Sequence, residues 1–209
     1  ETGHIQPKDM KVLIISPISS FEWLIKKIEF EIDFAKKNLP SGIWIKCNAI
    51  VDSKLIEKLY EASNAGVKIN LFVRGICCLK PNVKGLSENI IVKSIIGRFL
   101  EHGRIYVFAN SGEFQSSKND VYISSADMMP RNLYTRVEAY VPLKNETVRS
   151  QILTQVIPAL INDTKNSWLL EQTGEYVKLE DKLNFCSHSY FMENPSLSGQ
   201  GTLSKFKTA

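Results

Sequence analysis

Apolar residues recur along this chain with two periods, and each period predicts a different element. Between 21 and 37 the positions Leu24, Ile25, Ile28, Ile32 and Ala35 fall three and four apart, with lysines and acids between them. That spacing puts one buried stripe on an α-helix. Ser20 precedes it and Pro40-Ser41-Gly42 ends it. Short apolar runs over 11–15, 43–47, 67–73 and 90–94 predict buried strands instead. Between the second and third runs lies a helical segment reaching about residue 65, capped by Asp52 or Ser53 and closed by Gly66. Strand, helix and strand make a βαβ unit, so the two strands are expected to be parallel with a right-handed crossover. Parallel strands bring their carboxyl ends to one edge, and open α/β sheets bind ligands there. Lys46, Asn48 and Arg74 fall on that edge.

Farther on, 77–89 contains Pro81 and Gly85 without periodicity and reads as a loop beside the same edge. Residues 98–102 read as a helical turn, with Arg98 and His102 four apart on one face. Strands over 104–109 and 121–125, joined by the polar stretch 110–120, predict a hairpin. It returns Ser124, Ser125 and Asp127 to the side of His102. A strand over 136–142 follows, then a helix over 147–161 with Ile152, Val156, Ala159 and Leu160 inward, then a hairpin around Thr173-Gly174. Residues 1–10 are polar and 194–209 are rich in Pro, Ser, Gly and Lys, so both are expected to be flexible. With no repeat and no linker, 11–193 reads as a single α/β domain: a mixed sheet flanked by helices.

Composition narrows the picture little. The 209 residues are 44% hydrophobic and 23% charged, with a net charge of +4. That charge permits an anionic ligand without requiring one. The distribution is more telling: of six arginines, five (Arg74, Arg98, Arg104, Arg131 and Arg136) lie between 74 and 136. A guanidinium offers a planar fork of donors that fits phosphate oxygens in pairs. The competing reading is ordinary ion pairing with nearby acids. Four cysteines without metal-ligand or redox spacing suggest reduced thiols and a cytoplasmic home. No run is apolar for long enough to span a membrane. The chain does not begin with Met, which suggests a processed or excised piece.

His102, between Arg98 and Arg104, is the main candidate for chemistry. A bound polyanion would favour its imidazolium, so it is suited to carry a proton only beside an anionic substrate. Arg74 ends a strand before Gly75, which lets a ligand approach the backbone. Lys46 and Asn48 alternate on one strand face and add a charge and an amide; Lys46 reads equally well as a solvated strand end. The Ser124 and Ser125 hydroxyls are possible donors to phosphate, Arg131 is a further cation, and Asp127 is suited to orient an arginine or histidine. There is no phosphate-binding GxxxxGK[ST] loop, no GxGxxG, no metal-ligand spacing and no GxSxG nucleophile.

Two segments carry a resemblance. LYEASNAGVKINLFVRGICCLKPNVKGLSENIIVKSIIGRFLEHGRIYVF (59–108) and VYISSADMMPRNLYTRVEAYVPL (121–143) resemble the C-terminal catalytic region of bacterial polyphosphate kinases of the phosphohistidine type. The likeness extends back through KCNAIVD (46–52) and covers roughly 12–180. It implies a phospholipase D-like fold of two similar halves, each giving one histidine to a shared site. It implies reversible transfer of the terminal phosphate of ATP to inorganic polyphosphate, with ADP as co-product and magnesium as cofactor. The phosphorylated histidine of that family lies in a preceding half with no counterpart here. The partner would thus be a preceding catalytic domain of the same polypeptide; a homo-oligomer of the full-length enzyme and its association with membranes are further expectations. The isolated segment is expected to be inactive. His102 matches the family's second histidine and Arg74 an arginine associated with ATP phosphates.

The chain departs from the family's usual pattern after Ser16-Pro17, where Ile18-Ser19-Ser20 stands, and at Met128, where Trp is common. Two other classes compete. A non-catalytic polyanion-binding module would bind polyphosphate, RNA and DNA alike, with strong salt dependence. A phospholipase D-like phosphodiesterase would need His-x-Lys, and His102-Gly103-Arg104 counts against it.

Overall fold

The computed structural model describes residues 12–179 and 184–194, so the expectations for 1–10 and for the tail beyond 194 lie outside the described residues. In chain order the strands are β1 (Ile14–Ser16), β2 (Gly42–Cys47), β3 (Lys68–Val73), β4 (Ile90–Ile95), β5 (Arg104–Phe108), β6 (Asp120–Ser124), β7 (Glu138–Pro142), β8 (Ser167–Leu170) and β9 (Tyr176–Lys178). The helices are α1 (Ser20–Lys36), α2 (Ser53–Asn64), α3 (Pro130–Tyr134), α4 (Glu146–Gln151), α5 (Ile157–Asn162) and α6 (Ser187–Glu193). The strands form one mixed sheet in the order β1-β7-β6-β5-β2-β3-β4-β8-β9, with helices on both faces.

Alternation along β2 shows how the faces are divided. Ile43, Ile45 and Cys47 pack with Leu24 and Ile28 of α1 and Leu55 and Leu59 of α2. Trp44 turns the other way and, with Phe72, packs with Leu153, Ile157 and Leu160. A strand covered on both sides has to be apolar almost throughout, which is why β2 reads as a continuous hydrophobic run. Asp52 caps α2 by accepting from the Leu55 N–H at 3.0 Å, and Gly66 leaves the helix at φ 97°.

Topology gathers one edge. β2, β3 and β4 are parallel. β5 runs antiparallel to β2, with Ile105 opposite Lys46, and β6 antiparallel to β5, with Ser124 opposite Arg104. The carboxyl ends of β2, β3, β4 and β6 and the amino end of β5 therefore meet on the same rim.

The structure corrects two expectations. Residues 98–102 are not helical; they lie in an irregular loop, 96–103. Its backbone donors go outward: the Ile96 N–H to the Asn166 carbonyl at 2.9 Å, and the Phe99 N–H to His188 Nδ1 at 3.3 Å. These long-range bonds hold the segment against the start of β8 and against α6. The helix expected over 147–161 is interrupted by a π-helical turn, Ile152–Val156, between α4 and α5. Pro158 has no N–H to give the Thr154 carbonyl, and a widened turn accommodates the gap. The extra residue rotates the stripe, so Leu153 and Ile157 are buried while Ile152 and Val156 are only partly so.

Two buried charges anchor the end of α5. Asp163, fully buried, accepts from the Ser187 N–H and Oγ, both at 2.7 Å, and from the Asn166 N–H at 3.0 Å, which ties α6 to the sheet. Lys93 of β4 donates to the carbonyls of Leu160 (3.3 Å), Ile161 (2.6 Å) and Asp163 (3.0 Å). A cation there satisfies helix-end carbonyls that would otherwise be orphaned. Lys93→Met should lower the unfolding free energy by about 2–3 kcal/mol in urea denaturation, because those carbonyls lose their donor. Burial pushes the Lys93 ammonium down to about 8, from an ordinary 10.5. Between those values the unfolded chain holds the proton more tightly, so Lys93 adds stability as pH rises. The gap between wild type and variant should widen from pH 8 to pH 10; a narrowing gap would contradict the assignment.

Candidate functional site

A chain of hydrogen bonds runs along the rim. Arg74, at the end of β3, donates from Nε to Asn48 Oδ1 at 3.1 Å. The Asn48 N–H donates to Asp127 Oδ1 at 2.7 Å. Asp127, nearly buried just after β6, accepts Arg104 Nε at 3.2 Å on Oδ1 and Arg104 Nη2 at 2.9 Å on Oδ2. Arg104 Nη1 then donates to the His102 carbonyl at 3.0 Å. Burial alone would raise the Asp127 carboxyl, but Arg104 and the Asn48 N–H outweigh it and hold it below its ordinary value. The bidentate pair raises Arg104 in turn, against the opposing effect of burial. Asp127 thus serves as an orienting group for Arg104.

The terminal nitrogens of Arg74 have no protein partner among the described residues, and neither does the buried amide nitrogen of Asn48. An unmet buried N–H₂ is uncommon and costly in a folded protein. The Asn48 side chain also helps to hold the Asp127 carboxyl in its ionised form. His102 is exposed at the Arg104 end of the rim. Lys46 Nζ donates to the Gly103 carbonyl at 3.1 Å and pairs with Glu101 at 3.2 Å, and Lys46 and Glu101 line one small cleft with Arg74. Next to Lys46 and Glu101 a cleft of about 400 Å³ opens, walled by Ile105, Val156, Leu160 and Phe191.

The other candidates are placed differently. Ser124 Oγ donates to the Ala139 carbonyl at 2.9 Å and Ser125 Oγ to Glu138, so both hydroxyl hydrogens go to β7. Arg98 is exposed in the 96–103 loop with its guanidinium 6.0 Å from the Phe99 ring. Arg131 is exposed on α3, whose Tyr134 packs on Phe21 of α1, and is outside the hydrogen-bonded chain. Two residues that the sequence did not single out for the site do bear on it. Glu101 pairs with Lys46, and His188, which reads from its sequence context as surface or structural, is buried against the 96–103 loop. Glu101 is signalled only by standing next to His102, and His188 by nothing local.

Among the described residues no cluster of three or more His, Cys, Asp or Glu could hold a metal, and no helix is long and apolar enough to cross a membrane.

The family model described as "Polyphosphate kinase C-terminal domain 2" matches residues 13–187. A protein named polyphosphate kinase from Erythrobacter litoralis is 50% identical over 201 residues, which is 96% of this chain and 28% of that protein. The crystal structure of polyphosphate kinase from Porphyromonas gingivalis superposes with a TM-score of 0.84 at 31% identity, over 91% of this chain and 28% of that one. A phospholipase D family member, NUC from Salmonella typhimurium, aligns with a TM-score of 0.44 at 12% identity, over 66% of this chain and 85% of that one. The chain spans a little over a quarter of the length of the polyphosphate kinases it matches here.

Proposed function

The chain belongs to the polyphosphate kinase C-terminal domain family, and from that premise we propose that it supplies the phosphate-binding rim and one histidine of a polyphosphate kinase active site. The reaction is reversible transfer of the terminal phosphate of ATP to polyphosphate, through a histidine borne by another part of the enzyme. As that histidine's nitrogen bonds to the terminal phosphorus, the phosphorus–oxygen bond to ADP breaks. His102 gives a proton to the departing oxygen and recovers it in the reverse step, as a general acid and base. Arg74 and the Asn48 amide bind the anionic oxygens, and Arg104, held by Asp127, adds charge at the His102 end.

The observation that supports this most is the hydrogen-bonded run from Arg74 through Asn48 and Asp127 to Arg104 along one rim, with the terminal nitrogens of Arg74 unpartnered among the described residues and His102 exposed at the Arg104 end. Magnesium, implied by the family, finds no dedicated cage here. Asp127 is taken by Arg104 and Glu101 by Lys46, so these residues do not fit a protein-held ion. No step is routed through it.

Calorimetric titration of tripolyphosphate into the 209-residue chain tests the rim. One saturable site is expected, weakened about 10- to 100-fold by Arg74→Ala, the value of charged hydrogen bonds to an anion. Equal affinity in variant and wild type would place the anion elsewhere.

A further inference from the structure

The loop that carries His102 is held from below by a second histidine. His188 of α6 is 1% exposed. Its Nδ1 accepts the Phe99 N–H at 3.3 Å, and its ring lies 5.4 Å from that of Phe99. A side chain at Gly97 would come within 2.6 Å of the same Nδ1, so a glycine lets the loop lie against the imidazole. With Nδ1 accepting, the neutral ring carries its hydrogen on Nε2. That Nε2 is buried and has no hydrogen-bond partner among the described residues. The polar group facing it is Glu101 Oε2, 3.8 Å away. This is just beyond bonding range, which ends at about 3.2 Å for N–H···O.

Glu101 is held off by Lys46, whose Nζ lies 3.2 Å from the same oxygen. If an anion occupies the rim, Lys46 gains a stronger partner, and the anion repels the Glu101 carboxylate. The donor left to Glu101 is then His188 Nε2–H. We propose that Glu101 changes partner from Lys46 to His188 when phosphate binds, and that this exchange sets the position of His102, its neighbour in the chain. His188 is thus a positioning residue, acting through Glu101 and the Phe99 backbone. A displacement of under an ångström closes the new bond and satisfies the buried Nε2 donor. Lys46 is released to the phosphate in the same motion. This inference rests on the reading of the rim as a phosphate site.

Two measurements test it. In a full-length polyphosphate kinase carrying this chain, His188→Asn keeps an acceptor for the Phe99 N–H but lacks the Nε2 donor. Its kcat should fall about 10- to 100-fold while KM for ATP stays within about 3-fold, since His102 is misplaced and the anion donors are intact. Glu101→Ala should fall as far, and the double variant no farther than the worse single one, because both remove one contact. Multiplying losses, or a wild-type kcat for His188→Asn, would overturn the proposal. Glu101→Ala changes a partly exposed side chain and reads the same contact should His188→Asn fail to fold. In the 209-residue chain, the His188 Nε2–H proton resonance should move downfield as tripolyphosphate is added; a resonance that stays put counts equally against the exchange. The two failures can be told apart. An active His102→Ala enzyme sinks the reading of the site itself, whereas an inactive one with normal His188 variants sinks only the partner exchange.

Discussion

Replacing His102 by alanine should cut polyphosphate synthesis by a full-length kinase carrying this chain about 10²- to 10⁴-fold, the usual value of a positioned proton carrier. The unfolding midpoint of the chain should barely move. The side chain is exposed, and no hydrogen bond or ion pair holds it among the described residues. The part of His102 that the fold uses is its carbonyl, which accepts from Arg104, and alanine keeps it. Tripolyphosphate affinity should fall far less than the rate, since Arg74 and Asn48 remain. Loss of binding as large as the loss of rate would make His102 an anion ligand and not a proton carrier. Near-normal turnover would remove it from the chemistry altogether, as the non-catalytic polyanion module requires.

Asp127→Ala should be the most damaging single change at the rim, with a loss of about 3–5 kcal/mol of stability in denaturant titration. One carboxylate fixes Arg104 through two bonds and the Asn48 N–H through a third. Without it a guanidinium is left partly buried and unpaired, and the Asn48 backbone loses its acceptor. The rim then loses the orientation of both, so tripolyphosphate binding should weaken as well. Because the Asp127 carboxyl is held below its ordinary value, the unfolded chain takes up this proton first as the solution is acidified. Its stabilising effect is complete above the ordinary carboxyl range and drains away as pH falls through the lower, folded value. Asp127→Asn should lose that acid sensitivity, and its amide nitrogen, a donor where Oδ2 accepts from Arg104, should also free that guanidinium. An Asp127→Ala chain as stable as wild type would show that Arg104 finds another partner.

Much of the rim is legible in the sequence because it follows from backbone direction. An apolar run, a capped helix closed by Gly66 and a second apolar run fix β2 and β3 as parallel neighbours. That places Lys46, Asn48 and Arg74 on one edge with no knowledge of their contacts. The hairpin does the same for Asp127 and Arg104. Side-chain commitments are not legible in this way. Ser124 and Ser125 sit where expected, yet β7, arriving later in the chain, takes their hydroxyl hydrogens. The four-residue spacing of Arg98 and His102 suggests a helical face, but His188 and Asn166 draw the backbone donors of 96–103 away. His188 itself reaches the site only because Asp163 docks α6 across 24 residues of chain. Pairings at that separation leave no periodic trace. The rotated stripe after α4 has a cause visible in the sequence, Pro158, but periodicity read through a proline assumes an unbroken helix.

That Arg74, Asn48 and His102 act on a single bound anion can be observed directly in the 209-residue chain labelled with ¹⁵N and titrated with tripolyphosphate. The Arg74 guanidinium, the Asn48 side-chain amide and the His102 imidazole should shift together and saturate with one dissociation constant. Arg98 and Arg131, outside the hydrogen-bonded chain, should respond weakly or not at all. If Arg74 and Asn48 stay silent while scattered lysines shift without saturating, the rim is not a phosphate site.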